Sequence, residues 1–246
     1  MSDGSAERSR LEEQRDDLRL LNQVMRHDIR NDLQLIGAYA ELLDDHVDEE
    51  GKEYLEVIKE STESAVSLTA TARDLSQVML KNDGNPGTLS LAEVLNRRIE
   101  ETRSGYPKAI ATVEGTIPDV GVVGNEMLGS VFRNLLENAI QHNDEAPPEV
   151  TVSAVELDDE AEVRIADNGP GVPDSQKEEI FGKGEKGLES SGAGIGLYLV
   201  RSVVDSCGGE VWVEDRAGDG ATNGASGHEN EPKGSVFVVR LPIARE

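Results

Sequence analysis

The chain has 246 residues, and 24 Lys and Arg stand against 49 Asp and Glu, which gives a formal net charge of −25. The acidic residues are dispersed along the chain, which argues against a nucleic-acid binder because phosphate neutralisation needs clustered Lys and Arg. The single Cys207 excludes an internal disulfide, the N-terminus is not a signal peptide, and no apolar run approaches the roughly 20 residues that span a bilayer. We expect a cytoplasmic protein with no membrane segment. Dispersed acidity with few aromatics is typical of a high-salt cytoplasm, so a halophilic source is a hypothesis.

The N-terminal part is predicted to form two long helices, from Leu11 to about Val47 and from about Lys52 to Lys81, with a break at Asp48–Gly51. Apolar residues recur every three or four positions, which is typical of a bundle seam. Such a hairpin over 11–81 cannot bury its stripe alone, so a homodimeric four-helix bundle is expected. The seam positions are Leu18, Leu21, Met25, Ile29, Leu33, Ile36, Ala40, Leu43 and Val47, then Ile58, Ala65, Leu68, Ala72, Leu75 and Met79.

A turn-rich linker at 82–87 separates this hairpin from a second domain, which we place at 88–242. Ser90 and Glu93 form a capping box for its first helix. The alternation in 149–156 and 160–167 indicates a β-hairpin with one solvated face. The helix capped by Ser90 is predicted to end at about 103, and further helices are predicted over 125–142 and 195–206. Strands are also predicted over 109–114, 120–123, 210–214 and 235–241. The fold class is therefore α+β: a helical hairpin followed by an α/β sandwich whose antiparallel or mixed sheet has helices on one face. Residues 219–234, rich in Gly, Asn and Glu, are predicted to be a mobile insertion.

Two carboxamides stand out on the predicted helix over 125–142. Asn134 and Asn138 lie four residues apart and therefore one turn above the other. Buried amides need hydrogen-bonding partners, and a bound nucleotide with its magnesium would supply them. The alternative is a surface pair on a half-exposed helix.

Two glycine-rich stretches are candidates for contact with a ligand. In the first, Asp167 ends a strand and could accept a hydrogen bond from an exocyclic amine such as that of adenine, while Gly169 and Gly171 permit close backbone approach. A plain turn is the alternative. The second stretch opens a helix with free N–H groups for an anion, and it does not match the dinucleotide fingerprint. Its glycines are Gly192, Gly194 and Gly196.

Between these stretches, residues 168–191 hold Phe181, Lys183 and Lys186 in a long, polar segment. This composition suits a lid over phosphates, and a disordered loop is the alternative. On the first helix, His27 points away from the seam, followed directly by Asp28, with Asn31 one turn on. An exposed His is usually unremarkable. Here the imidazole is a candidate nucleophile whose tautomer the adjacent carboxylate can hold.

Taken together, these blocks resemble the sensor histidine kinases of two-component signalling over roughly residues 15–242, in the acidic style of haloarchaeal members. Their order along the chain, on a helical hairpin and then an ATP-binding domain of the histidine kinase, gyrase and Hsp90 type, makes the resemblance specific. The matching blocks are His27–Asn31 (phosphoacceptor box), Asn134–Asn143 (N box), Asp167–Gly171 and Gly192–Leu197 (glycine boxes), Ile180–Phe181 (F box) and Gly234–Phe237 (last box).

The resemblance implies that the α/β domain binds ATP, with adenine at Asp167, Mg2+ at Asn138 with Asn134 alongside, and Lys186 near the γ-phosphate. His27 would attack that phosphate with Asp28 as the orienting base. The phosphoryl group would then pass to an aspartate on the receiver domain of a separate response regulator. Asn31 matches a position that helps water attack the phosphorylated regulator, so phosphatase activity is also expected.

The sequence departs from the family pattern at Gln141, where many members carry Lys, which puts phosphate charge compensation there in doubt. We also see no sensor domain before the hairpin. Two other readings stay open. In an ATPase of the gyrase, MutL or Hsp90 type, a Glu at the position of Asn134 activates water; Asn cannot accept a proton, and Glu137 lies about 100° around the helix from Asn138. The last reading is a dimeric scaffold that binds ATP without catalysis.

Overall fold

The computed structural model describes residues 29–80, 87–182, 193–216 and 234–245. The chain divides into two compact units, Met1–Ser76 and Gln77–Glu246. The first is helical and the second is an α/β unit, as predicted. Within the described stretches, no helix has both the length and the apolar content to cross a bilayer.

The first unit is a helical hairpin. Its described part consists of helix α1 over residues 29–43, a 3-10 turn at Asp44–His46 and helix α2 at Glu49–Leu80. The Asp48 carboxylate accepts a hydrogen bond from the Gly51 N–H at 3.0 Å, as an N-cap residue does. This cap starts α2 earlier than predicted, so Gly51 lies inside the helix and the break is confined to residues 47–48.

The two helices meet where their side chains are small. Ala40 on α1 and Leu55 and Thr62 on α2 are buried, and a Cβ at Gly37 would lie 3.6 Å from Cγ2 of Thr62. The α2 face that packs within the hairpin therefore passes through Leu55 and Thr62, whereas Ile58, which we placed on the seam, is 43% exposed. A single hairpin leaves three further predicted seam residues exposed, namely Ile29, Ile36 and Leu43.

The second unit is built on a five-stranded sheet of order β2-β4-β5-β7-β6, in which β2 and β4 are parallel and every other pair is antiparallel. The sheet is therefore mixed, one of the two predicted forms. The strands are β2 Ile110–Glu114, β4 Glu149–Glu156, β5 Glu160–Asp167, β6 Glu210–Asp215 and β7 Ser235–Pro242.

Three helices complete this unit: α3 Leu91–Gly105, α4 Leu128–Gln141 and α5 Ala193–Ser206. Ser90 caps α3 by accepting from the Glu93 N–H at 3.3 Å, as predicted. Side chains from the helices and from alternate positions of β4 and β5 are buried together in the core. The largest fully buried ones include Phe132, Leu135, Leu136, Ile165, Leu199 and Leu241.

A second, two-stranded sheet was only half predicted. Strand β1, Gly87–Ser90, pairs antiparallel with β3, Gly121–Gly124. The predicted linker includes Gly87 and the predicted helix cap is Ser90, and a four-residue stretch between these two ends carries no alternation from which to recognise a strand. The prediction over 120–123 did locate β3.

The outer face of the large sheet carries a network of shared charges. Arg164 contacts Glu162 at 3.3 Å and Glu214 at 2.5 Å, and Arg240 contacts Glu162 at 2.8 Å. Arg240 also lies 5.0 Å from the ring centroid of Trp212, at a cation–π distance. A hydrogen bond from the Trp212 indole N–H and one from Arg164 lower the pKa of Glu214. Arg240 also lies 3.6 Å from Glu160, so each arginine contacts two carboxylates.

The net charge of −25 predicts that added salt stabilises the fold, because screening weakens self-repulsion in the folded chain. Unfolding in urea, followed by the fluorescence of the single Trp212, should show a gain of at least ~1 kcal/mol between 0.1 and 1 M KCl, where the Debye length falls from about 10 to about 3 Å. NaCl should act equally at the same ionic strength. Full stability without added salt would contradict this expectation.

Candidate functional site

Asn134, the first of the paired carboxamides of α4, lies at the contact of this helix with α5. Asn134 is 4% exposed, and its amide donates to the Ser130 carbonyl at 2.7 Å. A Cβ at Gly196 on α5 would lie only 2.8 Å from the Asn134 side-chain oxygen, so glycine leaves room there for the amide. Asn138, one turn along, is partly exposed. The pair therefore consists of a buried amide and, one turn along the helix, a partly exposed amide that a ligand can reach.

Asp167 ends β5 with its carboxylate buried, at 5% exposure. Its Oδ1 accepts from the backbone N–H groups of Gly169 at 2.9 Å and Ser235 at 3.1 Å. Burial raises the pKa of the Asp167 carboxyl, while these two hydrogen bonds and the charge of Arg216 oppose the rise. Both hydrogen bonds go to one oxygen, and within the described residues Oδ2 accepts none. The carboxylate therefore has an acceptor left for an N–H group of a ligand.

The two glycines after Asp167 serve different purposes. Gly171 adopts φ 81°, a left-handed conformation that favours glycine. At Gly169 the requirement is space, because a Cβ would lie 3.2 Å from Asp167 Oδ1 and 3.4 Å from Asn143 Cα. Gly169 thus allows the end of β5 to lie against the loop that follows α4, and the predicted close approach to a ligand stays a prediction.

Two further amides brace this contact, and we did not predict their role. Asn143 donates from Nδ2 to Asn168 Oδ1 at 2.7 Å, and Asn168 Oδ1 also accepts from the Glu149 N–H at 2.8 Å. These bonds join the end of α4, the start of β4 and the end of β5 around Asp167. Both residues stand inside motifs that we had recognised, but a 25-residue separation carries no pattern that pairs them.

The segment after Gly171 is anchored at its base. Phe181 is buried and meets Phe237 edge to face, with ring centroids 6.2 Å apart. Lys177 contacts Asp174 at 2.5 Å and Asp215 at 2.8 Å, and these hydrogen bonds raise its pKa. Two 3-10 turns, Asp174–Gln176 and Glu179–Phe181, complete this base. The described part of the predicted lid is therefore fixed to β6 and β7.

The remaining predicted site residues have separate outcomes. Asn31 is exposed on α1, in the helical unit. Gly194 and Gly196 lie in the first turns of α5, which begins at Ala193. Four candidates lie outside the described residues, namely His27, Asp28, Lys186 and Gly192, as do the linker at 82–86 and all of the insertion except Gly234.

Gln141, where the sequence departs from the family pattern, lies about one turn beyond Asn138 at the end of α4. Its amide donates to the Tyr106 hydroxyl at 2.9 Å, which joins the ends of α3 and α4. The side chain is exposed. A neutral amide therefore occupies the rim of the site, and it carries no charge of its own to offset a phosphate.

Two family models match the chain. The His Kinase A phospho-acceptor domain matches residues 17–79, and the histidine kinase-, DNA gyrase B- and HSP90-like ATPase matches residues 124–245. The first match spans His27, Asp28 and Asn31, and the second spans every predicted nucleotide-binding residue.

Similar proteins agree with these matches. The adaptive-response sensory kinase SasA of Thermosynechococcus vestitus is 28% identical over 96% of this chain, which spans 63% of that protein. Cyanobacterial phytochrome A of Nostoc is 28% identical over 86% of this chain, which spans 28% of it. The chain thus spans less than two thirds of the length of these relatives.

Among solved structures, the mycobacterial sensor histidine kinase MprB is 26% identical, with a TM-score of 0.53 over 65% of this chain and 99% of that one. Full-length ShkA, crystallised with AMPPNP, has a TM-score of 0.57 over 92% of this chain and 46% of that one, and its 20% identity shows the shared fold alone. With a His Kinase A phospho-acceptor domain followed by a histidine kinase-, DNA gyrase B- and HSP90-like ATPase domain, the chain belongs to the histidine kinases.

Proposed function

We propose that this chain is an ATP-dependent protein-histidine kinase, which phosphorylates itself on His27 and passes the phosphoryl group to an aspartate of a separate response regulator. The observation that carries the proposal is the buried Asp167 carboxylate, held by two backbone N–H groups beside the loop that ends α4. That arrangement suits recognition of an adenine amine. The same chain carries a phospho-acceptor domain match over residues 17–79.

The α/β unit supplies the nucleotide site. Asp167 accepts a hydrogen bond from the exocyclic amine of adenine, which a carboxylate with an open oxygen can do. Gly169 and Gly171 form the turn beside the base. On the phosphate side, the first turns of α5, with Gly194 and Gly196, offer backbone N–H groups and the positive end of the helix dipole. The sequence motif adds Gly192 and Lys186 to the proposed phosphate contacts.

The carboxamides of α4 fit a magnesium ion. Mg2+ prefers oxygen ligands and retains several waters, and the partly exposed Asn138 offers one such oxygen, with Asn134 alongside. Bound Mg2+ neutralises phosphate charge. Asn134 keeps its amide N–H on the Ser130 carbonyl at 2.7 Å, so its oxygen is directed outwards from the helix, and this side chain orients the metal site from its buried end.

The helical unit supplies the acceptor. An imidazole nitrogen of His27 attacks the γ-phosphorus, so that an N–P bond forms while the bond to the bridging oxygen breaks and ADP leaves. Asp28 holds the imidazole tautomer and takes its proton. An aspartate of the regulator then displaces the imidazole from phosphorus, giving an acyl phosphate. The exposed Asn31, four residues beyond His27, orients a water that attacks the acyl phosphate of the regulator and releases inorganic phosphate, which is the phosphatase activity.

A second copy of the chain covers the exposed apolar stripe of the hairpin. Ile36 and Leu43 are each 48% exposed although they lie on the predicted seam, and burying such a stripe between two hairpins gives a four-helix bundle. The proposed partners are thus a homodimer mate and a response regulator receiver domain. Nucleic acid is not among them, because the charge of −25 would repel it.

Both alternative readings have less support than the kinase proposal. An ATPase of the gyrase or Hsp90 type needs a general base where Asn134 stands, and a carboxamide cannot act as one. A scaffold without catalysis is favoured only by Gln141, whose neutral side chain bonds Tyr106. A halophilic, cytoplasmic origin fits the dispersed acidic charge, and it depends on the salt response described above.

Substitution of the acceptor tests the kinase proposal. With labelled ATP and Mg2+, the wild type should form an acid-labile, base-stable phosphoprotein, as a phosphoramidate is. His27→Gln should reduce labelling to background, because no nucleophile remains, with ATP affinity unchanged. The matched control is His46→Gln, which removes an exposed histidine of the helical unit and should label normally. Full labelling of His27→Gln would place the acceptor elsewhere.

Substitution of Asn138 tests the magnesium ligand. Asn138→Asp adds a charge and changes the metal geometry, so labelling should fall by at least about tenfold, the effect usual when one ligand or its support is altered. Titration with Mg2+ at fixed ATP should show a shifted midpoint in this variant. Gln141→Glu adds the same charge at the end of α4 and serves as a control. An unaltered Mg2+ dependence in Asn138→Asp would remove Asn138 from the metal site.

Neutralising Asp167 should separate binding from stability. Burial raises the carboxyl pKa, so above that pKa the ionised form costs folding free energy, and the cost is relieved as pH falls towards it. Asp167→Asn keeps an oxygen for Gly169 and Ser235 but presents an NH2 group to adenine. At pH 7, ATP affinity should fall at least tenfold, while the urea midpoint stays equal or rises. A lower midpoint with ATP affinity retained would contradict both expectations.

A further inference from the structure

We propose that Arg216 is a positioning residue for Asp167 and thereby sets how strongly the site prefers adenine over other purines. The inference rests on the proposed function of Asp167. Neither the sequence motifs nor the family resemblance pointed to this arginine, which directly follows β6. It acts without touching the nucleotide, through the backbone that carries the recognising carboxylate.

The sheet topology brings Arg216 to the same edge as Asp167. Strands β5 and β6 each pair antiparallel with β7, which lies between them. Both therefore end where β7 begins, at Gly234 and Ser235. A side chain from the end of β6 must cross the start of β7 in order to reach the end of β5.

Gly234 makes this crossing possible. It adopts φ 109°, and a Cβ there would lie 2.2 Å from the Asp167 carbonyl oxygen and 3.1 Å from Arg216 Cδ. The Arg216 N–H also donates to the Gly234 carbonyl at 3.1 Å. Because position 234 bears no side chain, the Arg216 guanidinium passes over it and donates from Nη1 to the Asp167 carbonyl at 3.0 Å.

The hydrogen bond from Arg216 to the Asp167 carbonyl lies just beyond the last paired residues of β5 and β7. The pairing of β5 with β7 ends at Ala166 and Val236, so the Asp167 carbonyl lies beyond the ladder on that side. Arg216 supplies the donor that a strand partner would otherwise provide. Asp167 is then held at its main chain by Arg216 and at its carboxylate by Gly169 and Ser235, which fixes the direction of the oxygen left for a ligand.

The charge of Arg216 acts in the same sense. It lowers the pKa of the Asp167 carboxyl against the rise that burial causes, and only the ionised carboxylate is purely an acceptor. The neighbours that approach from β4, α4 and β7 are uncharged: Val150, Asn143 and Ser235. Among the described residues, Arg216 is thus the charged group that keeps this site ready for an amine donor.

A carboxylate held in this way discriminates between purines. Adenine presents an amine at its six-position, whereas hypoxanthine presents a carbonyl oxygen there, which a carboxylate repels. ATP should therefore bind more tightly than ITP, and the ratio of the two affinities measures how well Asp167 is aimed and ionised. A residue that only tied β6 to β7 would change both affinities together.

The experiment measures ATP and ITP affinity for the full chain, with Arg216→Ala, Arg216→Lys and, as a matched control, Arg201→Ala, which removes an exposed arginine of α5. Arg216→Ala should lower ATP affinity about tenfold, the effect of one charge-assisted hydrogen bond, with ITP affinity unchanged. Loss of ATP affinity towards acid should begin at higher pH. Arg216→Lys should recover part of the ratio, and Arg201→Ala should match the wild type.

Three results would overturn the inference, and a fourth would overturn the proposed function on which it rests. If Arg216→Ala keeps the wild-type ratio of ATP affinity to ITP affinity and loses ATP affinity at the same acidic pH as the wild type, Arg216 does not position Asp167. An equal loss of both nucleotides with a lowered urea midpoint would show a structural role instead. A wild type that binds both nucleotides equally would refute the adenine assignment of Asp167 itself, and a wild type that binds neither would refute the proposed function.

Discussion

The buried carboxylate at the end of β5 is the constraint on which the nucleotide unit depends. A charge removed from water must be satisfied by hydrogen bonds or by an opposite charge, and Asp167 obtains both from the segments around it. That requirement explains why glycines cluster there. At Gly169 and Gly234 a Cβ would press on Asp167 or its neighbours, so the main chain can close around the carboxylate only where no side chain stands.

Close approach between elements recurs elsewhere and always falls on small residues. Gly196 admits the Asn134 amide between α4 and α5, and Gly37 faces Thr62 across the hairpin. In the first case the small residue leaves a polar group at a contact between helices, where a purely apolar interface would exclude it. Glycine at such positions thus makes room for a polar side chain inside a contact between elements.

Much of this architecture could be predicted from the sequence, because it depends on patterns among residues that are close together along the chain. The capping box at Ser90 and the alternation in β4 and β5 led to the right elements, and order along the chain led to the family. What could not be predicted depends on contacts between distant residues. The brace between Asn143 and Asn168 and the arginine that crosses Gly234 have no periodicity, since only the closed fold brings their partners together. Strand β1 could not be predicted for a different reason, because its four residues are too few to show an alternating pattern.

The shared charges on the outer face of the sheet imply an asymmetry in how this surface can evolve. Arg164 joins Glu162 to Glu214, while Arg240 contacts Glu162 and lies over Trp212. Replacement of Glu162 leaves Arg164 with Glu214 and Arg240 with Trp212, whereas replacement of Arg164 leaves Glu214 without its arginine in an already negative field. Genetic drift on this face should therefore spare its few cations and exchange its abundant anions, which makes arginine the slower-changing residue on a surface where carboxylates are in the majority.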